Sequence, residues 1–125
     1  MDKHEETFEE FWDEYVRHHQ NPRNRALHLV GTSLALLAAG VGIAKRRPLL
    51  VAAAPVIAYG FSVCGHIFFE GSLPMSLSHP VRAVLANFKM IQKMMDGSIE
   101  AEVARVQRRQ AAAAARRAQA SSHLN

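Results

Sequence analysis

Seven histidines are scattered along this chain of 125 residues, and three of them stand where side chains can be gathered at one site. His19 follows an aromatic stretch, His28 opens a long apolar run, and His66 closes the next one, four residues before Glu70. Neutral imidazole ligates iron, zinc and copper. Two or three imidazoles with a carboxylate and open positions suit non-haem Fe(II) and oxygen chemistry. Ionisable groups at the edge of a membrane-length segment are costly and often functional. A plainer reading competes with this one, because a lone histidine at a helix end commonly only hydrogen-bonds there. For His66 with Glu70 both readings stand, ligands or a structural pair. His18 and His79 read as structural, His79 as a cap before Pro80. His4 and His123 lie near the termini and carry no signal.

Asn24 and Arg25 also need two readings. As functional residues they bind substrate, Arg25 meeting a carboxylate through its bidentate guanidinium. Otherwise they form a polar first turn of a helix, with Arg25 at lipid phosphate.

The spacing predicts the elements that position these groups. Thr7 and Glu10 form a capping box ahead of a helix. Phe8, Trp12, Tyr15 and His19 share one face of it, with His18 at the edge. That helix lies along a membrane surface or against the bundle. Asn21-Pro22 ends it and starts the next, since proline disfavours the α region in the residue before it and suits a first helical turn. The second helix carries Gly31, Ala35, Ala38, Ala39 and Gly42, small residues that let membrane helices pack closely. "KRRP" (Lys45 to Pro48) is the turn of a hairpin. The third helix runs from about Leu49 to Phe69, and Pro55 and Gly60 are expected to kink it. Pro80 opens a fourth helix, which Gly97 stops. Its stripe of Val81, Val84, Leu85, Phe88, Ile91 and Met95 is an interfacial pattern. Residues 1–97 are expected to form a membrane-embedded helical domain. Residues 98–125 read as an Ala/Arg-rich tail, a solvated or frayed helix that contacts anionic lipid at most.

The fold class that follows is all-α. It is a small integral membrane bundle, a two-span hairpin flanked by amphipathic interfacial helices. Both apolar runs meet the length of about 17–25 residues that a span needs. A hairpin returns His66 to the membrane face where His28 lies, and the Asn21-Pro22 turn delivers His19 there. Three cations lie at the turn, and six (Arg17, Arg23, Arg25, Arg82, Lys89 and Lys93) lie at the other face, which places both termini in the cytoplasm. The acidic, aromatic N-terminal stretch does not look like a cleaved leader. One cysteine, Cys64, excludes an internal disulfide. Of the net charge of +4, the five Arg and two Glu of residues 98–125 supply +3. The nearly neutral body argues against nucleic acid as a partner.

"YVRHHQNPRNRALHLVGT", an apolar hairpin, "GHIFFEGSLPMSLSHP" and "NFKM" together resemble the fungal 2-hydroxy fatty acid dioxygenases and their bacterial relatives, over about Phe8 to Met95. The resemblance implies a multi-pass membrane protein, of the endoplasmic reticulum in a eukaryote or the inner membrane in a bacterium. It implies an Fe(II) enzyme that uses dioxygen to shorten long-chain 2-hydroxy fatty acids by one carbon. By position the motif histidines match His19, His28 and His66, and the motif acid matches Glu70. His18 matches less well. The tail has no counterpart and holds no proposed ligand, so truncation after Gly97 is expected to leave turnover intact. The alternatives are a metal-binding membrane protein without oxygenase activity and a non-catalytic scaffold.

Overall fold

The structure, a computed structural model, describes residues 6–75 and 78–124. His4 lies outside them. The described residues form helices and connecting turns, with no strand. The helices are α1 (Phe8–Arg17), α2 (Pro22–Ala44), α3 (Pro48–Gly65, prolonged by a π-helical turn at His66–Glu70), α4 (Pro80–Asp96) and α5 (Ile99–Leu124).

Local chemistry sets most of the boundaries. The Thr7 hydroxyl accepts the Glu10 N–H at the start of α1, and the Asn21 side chain accepts the Arg23 N–H at the start of α2. These caps satisfy N–H groups that a helix start leaves unpaired. Pro48 and Pro80 stand in the first turns of α3 and α4. Gly97 ends α4 in the left-handed region, at φ 82°, where a residue lacking Cβ is favoured. One detail differs from expectation. His79 makes no side-chain cap bond to α4; its ring packs against Phe11, with centroids 5.5 Å apart. α3 runs unbroken past Pro55, and the chain turns π-helical further on, at His66.

α2 and α3 form the hairpin. Each is long and apolar enough, by length and composition, to cross a membrane. Almost none of α3 is buried, and Leu36, Leu37, Ile43, Leu49 and Val56 all lie exposed. The core helix of a soluble protein would hide such residues. An apolar surface this extensive marks contact with something apolar. Between the two helices, Gly31 meets Phe61 and Gly42 meets Val51, and a Cβ on either glycine would come within 3 Å of that side chain.

Gly65 is the tightest point of the hairpin. A Cβ there would collide with Asn24 Oδ1 and reach 3.5 Å from Leu27 Cδ1. Gly65→Ala is therefore expected to destabilise the fold by about 1–3 kcal/mol, the usual cost of overpacking. Thermal melting in detergent would measure this, and an unchanged midpoint would count against the close approach.

The remaining helices build a cap with its own core. Phe11, Trp12, Tyr15 and Val16 of α1 meet Ala83, Ala86 and Met90 of α4, and Ile99, Val103 and Val106 of α5. The small face of α4 is buried because the α1 aromatics fill the space, so the larger Val81, Val84, Leu85 and Phe88 point outward. The first two turns of α5 thus join the core. The expectation of a wholly solvated tail is corrected there, because valine and isoleucine at positions 99, 103 and 106 share one helix face. Polar contacts lock the same seam. Trp12 Nε1–H donates to Glu102 at 2.9 Å, and Arg105 bridges Asp13 at 2.7 Å and Glu102 at 2.8 Å.

Hydrogen bonding from Arg105, reinforced by Trp12 against the effect of burial, holds the Glu102 carboxyl at about 2. A carboxylate whose pKa is lower in the folded chain stabilises the fold above its unfolded value. That contribution is lost as pH falls through the folded value. Stability is therefore expected to decline from about pH 4.5 to about pH 2. Trp12 fluorescence melts should show the decline, and Glu102→Gln should flatten it.

Candidate metal centre

The cap delivers His19 to the end of the hairpin, and the structure brings it together with His28 and His66. The three side chains are buried, and one ligand atom from each lies within 4.8 Å of the others. The rings meet edge to face, with centroids 4.4–5.1 Å apart and planes 76–87° apart. Three imidazoles can so direct nitrogen lone pairs toward one shared point from three directions.

The backbone fixes two of the tautomers. His19 Nδ1 lies 2.5 Å from the Tyr15 carbonyl, and His28 Nδ1 lies 2.9 Å from the Asn24 carbonyl. A carbonyl only accepts, so both Nδ1 atoms carry the proton, and in each neutral ring Nε2 holds a lone pair. These two Nε2 atoms are 3.3 Å apart. Two lone pairs at that distance cannot hydrogen-bond to each other; a cation between them removes the conflict. The Ser62 hydroxyl, 3.1 Å from His28 Nε2, can meet only one of them. His66 Nδ1 is buried without a partner, which costs about 1–3 kcal/mol if nothing binds there. Burial first, then the closeness of His28 and His66, which disfavours adding a charge among the three rings, pushes the His19 pKa well down. It remains neutral, as a ligand must. The donor set and the orphaned nitrogen both fit a metal ion.

Supporting contacts surround the rings. Tyr15 stacks on His19 with centroids 3.8 Å apart, and burial pushes its phenol up, so it stays protonated. Backbone–carbonyl partners of this kind orient metal-binding imidazoles and fix the protonated nitrogen. The π-helical turn begins at His66 itself, and such bulges are frequent at functional sites.

The other expected site residues lie elsewhere. Glu70 is not in the three-histidine group. Its carboxylate accepts the Asn21 backbone N–H at 2.7 Å and the Asn24 amide at 3.4 Å. It ties the π-turn to the α1–α2 corner, which is a positioning contact. Arg25 is 2% exposed. It donates to the carbonyls of His19 and Gln20 at 2.7 and 2.9 Å, and pairs with Glu100 of α5. The expected roles at a substrate carboxylate or at lipid phosphate are corrected by this burial: the guanidinium is enclosed, with three of its N–H groups bonded within the protein. Asn24 packs against Gly65 with Oδ1 buried and unpartnered, and its amide donates to Glu70. His18 stays outside, beside Glu14 and Arg17.

A cavity of about 420 Å³ opens from the histidines. Its polar wall holds Tyr15, Thr32, Ser62 and Asn87, and the rest is largely apolar. Asn87 Nδ2 donates to Thr32 Oγ1 at 2.8 Å, and its Oδ1 accepts the Tyr15 hydroxyl at 3.5 Å. The sequence reading missed this amide. Its signal was an Asn one turn beyond Ala83 and beside Ala86, on the buried side of an amphipathic helix.

These features define a small all-helical protein with a buried three-histidine group that could bind a metal, at the end of a hairpin long enough to span a membrane. The chain belongs to the 2-hydroxy-palmitic acid dioxygenase Mpo1-like family, whose model matches residues 5–99. The match includes all three histidines, Glu70 and Asn87, and stops where α5 begins. No curated protein and no solved structure matches the chain.

Proposed function

We propose that this chain is an integral membrane Fe(II) dioxygenase that removes one carbon from long-chain 2-hydroxy fatty acids, with His19, His28 and His66 holding the metal. The single observation that carries the reading is the trio of buried imidazoles, two with tautomers set by backbone carbonyls, opening onto a largely apolar cavity. The family's name supports the substrate class. The reaction balances without a cosubstrate. A 2-hydroxy acid and dioxygen give the acid one carbon shorter, carbon dioxide and water. Iron supplies the redox chemistry and a template on which neighbouring oxygens of the substrate can chelate.

The chain's own residues do the rest. The Tyr15 and Asn24 carbonyls keep the Nδ1 protons on His19 and His28, so that both Nε2 atoms remain donors of electron pairs. Tyr15, protonated and stacked on His19, holds that ring in place. Asn87 keeps one amide hydrogen beyond the one given to Thr32, available to a polar head group in the cavity. The apolar walls take the acyl tail and exclude water from the reacting end. By the same reading α2 and α3 span the membrane as a hairpin, whether in a bacterial inner membrane or the endoplasmic reticulum.

Anaerobic loading with Fe(II), followed by oxygen and a series of 2-hydroxy acids, tests the proposal. The expected result is shortened acid by mass spectrometry, and no reaction of the same acids lacking the 2-hydroxyl, which lose one chelating arm. Bound iron without product from any 2-hydroxy acid would leave a metal-binding protein. No bound metal would leave a scaffold.

A further inference from the structure

The cavity has an inner and an outer wall. The inner wall, at the histidines, is buried. The outer rim is made by Pro55 and Tyr59 of α3 and Pro80 and Val84 of α4, all exposed, Tyr59 by 44% and Val84 by 54%. Pro55 and Tyr59 lie inside the membrane-length segment Pro48–Glu70. At 1.5 Å per residue, Pro55 stands about 16 Å along α3 from His66. Half the hydrocarbon thickness of a bilayer is about 15 Å. The cavity thus runs from the level of the histidines, at one end of the span, to about the middle of the bilayer.

We propose that this cavity opens sideways into the membrane between α3 and α4, and that it takes a single-chain amphiphile directly from the surrounding leaflet; the inference rests on the function proposed above. The rim is continuous with the lipid-facing side of the hairpin. α4 extends that surface with Leu85 and Phe88, both exposed and on the same stripe as Val84. Most of the cavity's hydrogen-bonding groups lie inward, Tyr15, Thr32 and Asn87 among them, while at the rim Pro55, Pro80 and Val84 are apolar and Tyr59 adds a ring with a single hydroxyl. A fatty acid in a bilayer holds its head at the interface and its tail toward the midplane. The cavity has the same polarity along the same axis. The ligand moves laterally without turning over and without carrying its tail through water.

The test places a nitroxide at Val84→Cys or Tyr59→Cys, with Cys64→Ser, in the full chain reconstituted into phosphatidylcholine–phosphatidylglycerol vesicles. Collision with oxygen, which partitions into lipid, is compared with collision with a charged nickel chelate, which does not. Both rim sites are expected to favour oxygen several-fold over a label at Arg46→Cys in the hairpin turn. Rim labels reached as readily by the nickel chelate as the turn label would overturn the lateral opening, whether or not the protein turns over. A second arm narrows the mouth with Val84→Trp, in iron-loaded protein. Turnover of a vesicle-borne long-chain 2-hydroxy acid is expected to fall about tenfold, equivalent to about 1.4 kcal/mol. Unchanged turnover would overturn the proposal. If the unsubstituted chain has no such activity, the function proposed above fails, and the labels still decide where the cavity opens.

Discussion

Single replacement of His19, His28 or His66 by alanine is expected to strip most bound metal while leaving the protein in the membrane. One ligand atom from each imidazole lies within 4.8 Å of the others, and no other His, Cys, Asp or Glu among the described residues joins the group. A remaining pair cannot complete the set. Losing a supporting partner of a metal ligand typically costs about 10–100-fold in affinity or activity, so losing a ligand should cost at least that. Metal content of purified variants, by mass spectrometry, is the direct measurement. His18→Ala is the control. His18 is partly exposed, pairs through its ring with Glu14 and Arg17, and is not in the three-histidine group, so its loss should leave metal nearly unchanged. Full metal retention in all three triad variants would refute the site. Equal losses for His18 and His19 would mean that the phase of α1 is wrong.

Truncation after Gly97 is expected to unfold the cap and release the metal, the reverse of what the sequence suggested. The cut removes Ile99, Val103 and Val106 from the core around Trp12. At about 1.5–3 kcal/mol for each buried aliphatic side chain, the loss is roughly 5–9 kcal/mol. A domain's whole stability is about 5–15 kcal/mol. The cut also deprives buried Arg25 of Glu100 and Trp12 of Glu102. Arg25 holds the carbonyls of His19 and Gln20, so the loop that presents His19 loosens with it. Truncation after Gln110 is the informative contrast. It keeps the three core residues and the pairs of Asp13 with Arg105 and Arg109, and should be nearly silent. Fluorescence of Trp12, the chain's single tryptophan, reports cap unfolding in both. A cooperative melt and full metal after the first cut would show that α5 is dispensable.

What the sequence determined by itself was local. Thr7, Asn21, Pro22, Pro48, Pro80 and Gly97 punctuate the helices through hydrogen bonds and backbone limits that act within one turn. The spacing of Phe8, Trp12, Tyr15 and His19 is a periodicity, and a period of 3.6 residues alone puts them on one face. The hairpin followed from two apolar lengths and a basic turn, and it sufficed to carry His66 back to His28.

Tertiary structure decided the partners, because packing selects them across long separations. Arg25 pairs with Glu100, and Trp12 with Glu102 ninety residues away. Nothing in "NPRNRALH" distinguishes a guanidinium that meets lipid or substrate from one sealed under a later helix. The same limit hid α5. Its three core residues are sparse among alanines and arginines, and they count only because the flat aromatic face of α1 lies opposite. Glu70 shares a helix face with His66 on paper. In the fold the turn from His66 onward becomes π-helical, which changes the rotation between the two side chains and sends the carboxylate to Asn21. Which ring nitrogen of His19 and His28 keeps its proton was likewise beyond the sequence, since it depends on the position of a carbonyl one helical turn earlier relative to a ring whose rotamer the neighbouring helices set.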